Sequence, residues 1–359
     1  MGLGYKSSMA PKDDKTFDIE AAQSFMRNAM IAQQVKIARW GEQGPPITAV
    51  VKGLRAVASY STLLRLPETA TYHDFLGLYI KHAIGEGWWL AEVGMPDDQA
   101  HQLIRWQRKV TQFQVLHTRG EGLQSAPGTG VIGHYYRLAF DLHTLHHQGL
   151  VQNRLIQRLK NKGNFQGARY EVAVCAAFVR AGFEISLVDE DNSPHRVCEL
   201  VATHKRSSEC YAVEAKSRHI SGVLGHPKSG TRRSEKEPRV KSLIKDALKK
   251  VVEYPRVICI DVNYPQPAGK DAPSTWGRVV RRQVNALEAL GRGPAMLVFT
   301  NSPLHYLKDD EPARETVALI MGLNERAFNP QDIGSLERDF PGLIRAANAF
   351  GISIPSQWD

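Results

Sequence analysis

The stretch ECYAVEAKSRH, residues 209–219, decides how the second half of this chain folds. Its first part is apolar and typical of a buried strand, but Glu214 and Lys216 then follow at a spacing of two residues. Because side chains alternate between the two faces of a strand, these two charges project from one face, while Val213 and Ala215 project from the other. The sequence therefore predicts a carboxylate and an ammonium group side by side on a largely buried strand.

Two more glutamates interrupt apolar patterns earlier in the chain. Glu199 lies in the predicted strand HRVCELVATH, where Val197 and Val201 flank it on its own face, and Glu171 shares a helical stripe with Cys175. A buried carboxylate is costly, and several together repel one another, unless a cation or a proton compensates their charge. Clustered hard oxygen ligands suit Mg²⁺, so these acids indicate a site for a divalent metal ion.

The order of predicted elements from residue 165 onward indicates an α/β fold. A helix that ends at Gly182 is followed by three strands, a helix, a strand, a further helix and a further strand. The segments are FQGARYEVAVCAAFVRAG, FEISLVDE, HRVCELVATH, CYAVEAKSR, RVKSLIKDALKKVVEY, RVICIDV, VVRRQVNALEALG and AMLVFT. Strands that alternate with helices predict a sheet covered by helices on both faces.

Residues 165–262 resemble the core of the PD-(D/E)xK nuclease superfamily, which has the restriction-endonuclease-like fold. Members share an αβββαβ core with a mixed central sheet, an acid on the second strand and an acid-x-Lys triplet on the third. Many also carry a glutamate on the first helix. In this chain Glu199 matches the second-strand acid, the EAK triplet 214–216 matches the third-strand motif, and Glu171 matches the helix acid. The family's usual Pro-Asp is replaced here by Cys198 and Glu199.

The resemblance implies a Mg²⁺-dependent endonuclease that hydrolyses phosphodiester bonds in DNA, with Mn²⁺ able to substitute. Glu199, Glu214 and the backbone carbonyl of Ala215 are then expected to hold the metal ion. Glu171 is expected to support a second metal ion or to orient water, and Lys216 to position the nucleophile. Nucleases of this fold with an unrelated front domain commonly serve restriction, anti-phage defence or DNA processing, and only this analogy suggests such a role here.

Positive charge is concentrated just after the triplet. Residues 216–250 contain eleven Lys or Arg against three acidic residues, a net charge of +8, in a chain whose total is +9 with a pI near 9.3. This concentration favours a polyanionic partner, and contacts to phosphates give salt-dependent affinity without sequence specificity. The predicted DNA contacts are Arg218, Lys228, Arg232, Arg233, Lys241 and Lys245. The alternatives are a solvated loop without a partner and, for Lys245, a solvated helix position.

Residues 1–155 are predicted to form a mostly α-helical N-terminal domain, and residues 156–359 the nuclease domain. The N-terminal domain is expected to recognise substrate, to form a homo-oligomer or to bind a partner protein. The first residues lack the apolar core of a signal peptide, and no run reaches the length of a membrane span, so we expect a cytoplasmic protein without a membrane partner. The four cysteines form no CxxC pair, which favours reduced core thiols.

Several alternatives stay open at this level. The chain is also consistent with a catalytically inactive nuclease-fold protein that acts as a DNA-binding or scaffold subunit, which the glutamate at 199 favours. RNA is a possible substrate in place of DNA. A purely structural interpretation makes Glu214 and Lys216 an edge-strand ion pair, with Glu171 and Glu199 satisfied by arginines such as Arg169.

A second candidate for metal binding is the sequence HTLHH. Its histidines have helical i, i+3, i+4 spacing, but no acid or further ligand accompanies them, so we predict a helix surface or interface instead. They are His143, His146 and His147.

Overall fold

A computed structural model describes most of the chain. The described residues are 19–60, 62–117, 130–187, 198–218, 239–264, 272–287, 296–301, 317–321 and 333–358. Among them, no helix has both the length and the apolar character needed to cross a membrane.

The N-terminal region is mostly helical, as predicted, but it also contains a small antiparallel sheet. The helices are α1 (Ile19–Trp40), α2 (Tyr72–Ile84), α3 (Glu86–Val93), α4 (Gln102–His117), α5 (Gly130–His147) and α6 (Asn153–Lys160). The sheet has the strand order β1 (Ile47–Val51), β2 (Leu54–Ser59) and β3 (Thr62–Pro67). Lys52 and Gly53, both with positive φ, form the two-residue turn between β1 and β2. This sheet was not predicted.

The apolar spacing of residues 71–93 and that of residues 133–161 each predict one helix, and the structure divides both. Gly85, with a φ of 109°, separates α2 from α3, and Gly149, with a φ of 70°, follows the end of α5 before α6 begins. Backbone conformations with positive φ are rarely adopted by other residues and end a right-handed helix.

The second half is an α/β region with a mixed sheet, which confirms the predicted α/β class, while the restriction-endonuclease-like arrangement of its core stays a prediction. Its elements are α7 (Phe165–Arg180), β4 (Phe183–Leu187), β5 (Leu200–His204), β6 (Cys210–Ser217), α8 (Lys241–Leu248), β7 (Arg256–Asp261), α9 (Ala272–Asn285), β8 (Met296–Asn301), β9 (Val317–Met321), α10 (Ile333–Asp339) and α11 (Leu343–Ala349). The strands follow one another in chain order across the sheet. β4, β5 and β6 are antiparallel, β6, β7 and β8 are parallel, and β9, which was not predicted, is antiparallel to β8.

Helices cover both faces of this sheet. On one face, side chains such as Ala215 and Cys259 belong to a large core shared with α7, the N-terminal helices and α11. On the other face, Ile258 and Ile260 form a second core with α8 and α9. Burial of apolar surface on both sides explains why the central strands are continuous apolar runs in the sequence.

The large core is continuous across the predicted domain boundary at residue 155. Arg180 at the end of α7 forms a buried ion pair of 2.7 Å with Asp141 of α5 and donates a hydrogen bond of 2.9 Å to Thr144. Near the C-terminus, the indole N–H of Trp358 donates to the carbonyl of Ala70 at 2.7 Å. The two parts of the chain therefore share one packed interior, and their division into folding units stays a prediction.

Candidate functional site

The site is built on β6, the third strand of the mixed sheet. Ala215 packs in the large core beneath α7. Glu214 and Lys216 lie opposite Ile258 and Ile260 of the parallel neighbour β7, so they project from the face that α8 and α9 cover. β6 lies between β5 and β7, and the idea of an edge-strand ion pair is therefore wrong about the edge, although the ion pair itself exists.

Glu214 is a buried carboxylate held by two ammonium groups. Only 1% of the residue is exposed, and its Oε1 atom contacts Nζ of Lys216 and lies 2.8 Å from Nζ of Lys250. Lys250 follows the end of α8, and its own side chain is 12% exposed. Burying a carboxylate without a partner is costly. Here two ammonium groups of opposite charge offset that cost.

Lys250 is the site residue that the sequence did not reveal. The pattern from 239 to 254 predicts one amphipathic helix, but α8 ends at Leu248. Arg256, on the next strand, donates to the carbonyls of Leu248 and Lys250, at 3.2 Å for the first of these, and so takes up backbone acceptors at the end of the helix. Lys250 then turns toward the sheet. The one clue to Lys250 in the sequence was the expected burial of the Glu214 carboxylate, because a buried charge favours a further cation nearby.

Glu199 meets the triplet at the end of the β5–β6 ladder. It directly precedes β5 instead of lying within it. Its Oε2 atom accepts a hydrogen bond of 2.6 Å from the backbone N–H of Ala215, and its Oε1 atom lies 3.6 Å from Nζ of Lys216. Burial raises the pKa of Glu199 to about 8, with the negative charges of Glu214 and then Glu171 adding to the rise and Lys216 opposing it.

The backbone of Ala215 is placed to offer an oxygen at the same point. The last ladder pair between β5 and β6 is Leu200 with Val213, so Ala215 lies beyond it. In an antiparallel pair, the N–H and C=O of one residue point to the same neighbouring strand. Because its N–H points to the β5 side, where Glu199 accepts it, the carbonyl of Ala215 points to that side as well.

Glu171 approaches this group from α7. It is close enough to raise the pKa of Glu199, but its Oε2 atom is paired with Arg158 at 2.5 Å. Arg169, the example given of an arginine that could satisfy Glu171 and Glu199, instead forms a buried ion pair of 3.0 Å with Asp261 at the end of β7. The structural interpretation therefore agrees with the pairing of Glu171 with an arginine, whereas the partners of Glu199 are the Ala215 N–H and Lys216.

Neighbouring cysteines reflect the same concentration of negative charge. Burial raises the pKa of the Cys175 thiol well above its usual value, and Glu171 and Glu199 raise it further. Burial, followed by Glu214, likewise raises the pKa of Cys198. These thiols stay protonated at neutral pH, and the prediction that Cys175 and Cys198 are core thiols is consistent with their burial.

The residues predicted to contact DNA divide into three groups. Lys241 and Lys245 are exposed on α8. Arg218 departs from the expectation, because it is only 6% exposed and its guanidinium points at the carbonyls of Val262 and Asn263, each 3.5 Å away. It supports the chain around the end of β7. The remaining three, Lys228, Arg232 and Arg233, lie outside the described residues.

The histidines of HTLHH do not form a helix surface throughout. His143 is buried, and its Nδ1 atom lies 3.0 Å from the hydroxyl of Tyr72. Burial, together with the neighbouring His147 and His146, lowers the pKa of His143 to about 3, so this imidazole is neutral at physiological pH. It packs among aromatic rings of α2 as part of the core.

The donor chemistry of the site fits a divalent metal ion. Glu199, Glu214 and the Ala215 carbonyl offer hard oxygens, and the pKa of Glu199 is raised by burial and then by the negative charge of Glu214, which a doubly charged cation would offset. In the arrangement described, cations of the protein balance these charges. Within the described ranges, no three Asp, Glu, His or Cys side chains are close enough together to hold one ion. Binding would therefore require Glu214 to exchange an ammonium partner for the ion.

Comparisons with known proteins do not show a family for this chain. The chain matches no family model, no curated protein and no solved structure.

Proposed function

We propose that this protein is a Mg²⁺-dependent endonuclease that hydrolyses phosphodiester bonds in DNA, with a restriction-endonuclease-like αβββαβ core. The contact between Glu199 and the triplet carries the proposal. Because β5 and β6 pair, Glu199 reaches residues 16 and 17 positions later: it accepts a hydrogen bond from the Ala215 N–H and lies 3.6 Å from the Lys216 ammonium, which also contacts Glu214. Glu171, on the preceding helix, is close enough to raise the pKa of Glu199.

In the proposed mechanism, Glu199, Glu214 and the Ala215 carbonyl would hold Mg²⁺, which when bound would supply Lewis-acid activation of the phosphodiester and of water. Lys216 positions the attacking water and stabilises the negative charge that develops on the phosphate oxygens. Glu171, once released from Arg158, orients water or supports a second ion. Lys241 and Lys245 on α8 attract the DNA backbone from the face that carries Glu214.

The test is cleavage of plasmid and linear DNA by the purified protein, with Mg²⁺, with Mn²⁺ and with EDTA. We expect metal-dependent cleavage that Lys216→Ala and Glu214→Gln each reduce by at least about 10²-fold, as expected for loss of charge stabilisation in the transition state. Lys249→Ala is the matched control, because Lys249 is an exposed lysine that pairs with Asp246 and does not contact the site. Cleavage that survives Lys216→Ala would reject the site assignment.

A second candidate function is favoured by one observation. Every carboxylate of the site has a partner within the protein: Lys216 and Lys250 for Glu214, the Ala215 N–H for Glu199, and Arg158 for Glu171. Such a closed set of pairs also suits a nuclease-fold protein that binds DNA without cleaving it, as a scaffold subunit.

Calorimetry separates the two functions. The endonuclease predicts a Mg²⁺-binding signal that Glu214→Gln removes, while the scaffold predicts no signal and salt-sensitive DNA binding alone. In either case Lys241→Ala and Lys245→Ala are expected to weaken DNA binding and to reduce its salt dependence by about one released ion for each lysine replaced.

A further inference from the structure

The three-stranded sheet of the N-terminal region presents an apolar face to solvent. In the register of β1, β2 and β3, three cross-strand rows share this face: Ile47 with Ala58 and Leu63, Ala49 with Ala56 and Arg65, and Val51 with Leu54 and Pro67. Eight of these nine residues are apolar. The opposite face buries Val57, Ser59 and Leu66. An antiparallel sheet with one buried face normally turns polar residues outward, so this face breaks the rule.

The large side chains of this face are well exposed. Ile47 is 67% exposed, Val51 59%, Leu54 49% and Leu63 56%. In the described part of the chain nothing packs over them. A contiguous exposed apolar patch of this kind marks an interaction surface, whereas isolated apolar residues on a surface are ordinary.

Helix α1 carries a second apolar surface of a different shape. At its C-terminal end Trp40 is buried, and the next residues are tied to the body, since the N–H of Glu42 donates to the carbonyl of Arg180 at 2.9 Å. Residues 23–36 are each exposed, and we call this segment the overhang of α1. This overhang is about 20 Å long at the usual helical rise. Met26 and Met30 continue the same helical face as Trp40, and they are 64% and 65% exposed, with Phe25 beside them at 75%.

An isolated helix of this length is marginal in water, and its exposed Phe and Met side chains add an unfavourable contact with solvent. We call Phe25, Met26 and Met30 the helix stripe. The helix stripe suits the sheet face, because an apolar stripe of a helix packs on an apolar face of a sheet. Within one chain, α1 does not cover the sheet, as the exposed side chains on both show.

We propose that the protein forms a two-fold dimer in which α1 of each copy packs on the β1–β3 face of the other. A two-fold axis makes the same contact twice, so both surfaces of both copies are covered without an open-ended chain of contacts. Charge does not oppose this contact. Arg65 is the one charged residue of the sheet face, and Phe25, Met26 and Met30 are uncharged.

The area available is sufficient for a stable dimer. The two surfaces contain seven large apolar side chains that are each about half to three-quarters exposed. At roughly 100 Å² removed for each, one copy buries on the order of 700 Å², close to the ~800 Å² per partner of a standard interface. A DNA partner is not expected on these surfaces, because their contact residues are apolar.

The experiment is sedimentation velocity of the full-length protein over a wide range of concentrations. Three double variants are compared with the wild type. Met26→Glu with Met30→Glu disrupts the helix stripe, and Val51→Glu with Leu54→Glu disrupts the sheet face. Leu90→Glu with Val115→Glu is the matched control, since these residues are 72% and 71% exposed outside both surfaces. Circular dichroism and thermal unfolding check that each variant is folded.

We expect a wild-type dimer whose dissociation constant rises at least about tenfold in the helix variant and in the sheet variant, and stays unchanged in the control. A mixture of the helix and sheet variants is expected to recover weak dimers, because one of the two contacts is then intact. A wild type that is monomeric throughout overturns the proposal. If only one of the two disrupted variants fails to dimerise, like surfaces pair with each other, and the helix-on-sheet arrangement is wrong.

Discussion

Nζ of Lys250 lies 2.8 Å from Oε1 of Glu214, the same carboxylate oxygen that Lys216 contacts. Lys250→Met keeps most of the side chain and removes its charge, so it leaves a 1% exposed carboxylate with one cation fewer. We expect a loss of roughly 1–3 kcal/mol in the free energy of unfolding, measured by urea denaturation. The double variant Lys250→Met with Glu214→Gln should recover much of this loss, because the uncompensated charge is then gone.

The neighbouring Lys249 supplies the control for this prediction. Its side chain is 65% exposed and pairs with Asp246, so Lys249→Met should change the stability by no more than about 0.5 kcal/mol. Equal effects of Lys249→Met and Lys250→Met would contradict the assigned importance of the buried pair.

The same ammonium group competes with any metal ion at Glu214. If the proposed endonuclease function holds, Lys250→Met should lower the Mg²⁺ concentration that gives half-maximal cleavage, by several-fold, because the ion no longer has to displace a second cation. A titration of cleavage rate against Mg²⁺ measures this change. A higher Mg²⁺ requirement in Lys250→Met would mean that Lys250 assists the site instead of competing for it.

The raised pKa of Glu199 predicts how stability depends on pH. Between the usual value of 4.5 and about 8, the folded protein keeps a proton on Glu199 that the unfolded chain has released. The contribution of Glu199 to the free energy of unfolding is therefore complete below about pH 4.5 and is lost as the pH rises toward 8. Glu199→Gln, which keeps an oxygen for the Ala215 N–H, should flatten this decline and be more stable than the wild type at pH 8 by roughly 1–3 kcal/mol.

Thermal unfolding of both proteins across this pH range measures the effect. Glu184→Gln is a suitable control, because Glu184 is an exposed residue of β4 on the same sheet. Parallel pH profiles for the wild type and Glu199→Gln would show that Glu199 titrates normally and that the three acids do not act on one another as described.

Features that follow from a pattern within a short segment of the sequence were predictable, whereas contacts between distant segments were not. The helix and strand order from α7 to β8 follows from apolar periodicity and from a stop such as Gly182, and the strand alternation of 213–216 determined which side chains share a face. The partners of the charges were not predictable in this way. Arg158 and Arg169 are both near Glu171 in the chain, and only tertiary packing selects Arg158 for it.

The three-stranded sheet escaped prediction for a related reason. A strand with one solvated face is recognised by alternation of apolar and polar residues. Here the outward residues Ile47, Val51 and Leu54 are themselves apolar, so the alternation is missing. The apolar residues in outward positions that hid β1 and β2 from the sequence pattern are also the basis for the proposed dimer surface.

The buried ion pair between Arg180 and Asp141 predicts that the two halves of the chain unfold together. The guanidinium also lies 4.0 Å from the ring centre of Phe140 and donates to Thr144. Asp141→Asn leaves this buried cation without its charge partner, which should cost about 3–5 kcal/mol. The pair joins α5 to α7 inside a continuous core. We therefore expect one urea transition with the same midpoint by tryptophan fluorescence and by far-UV circular dichroism, and we expect Asp141→Asn to lower that midpoint for both probes. Two separated transitions, of which Asp141→Asn moves one alone, would show that residues 1–155 and 156–359 are independent folding units.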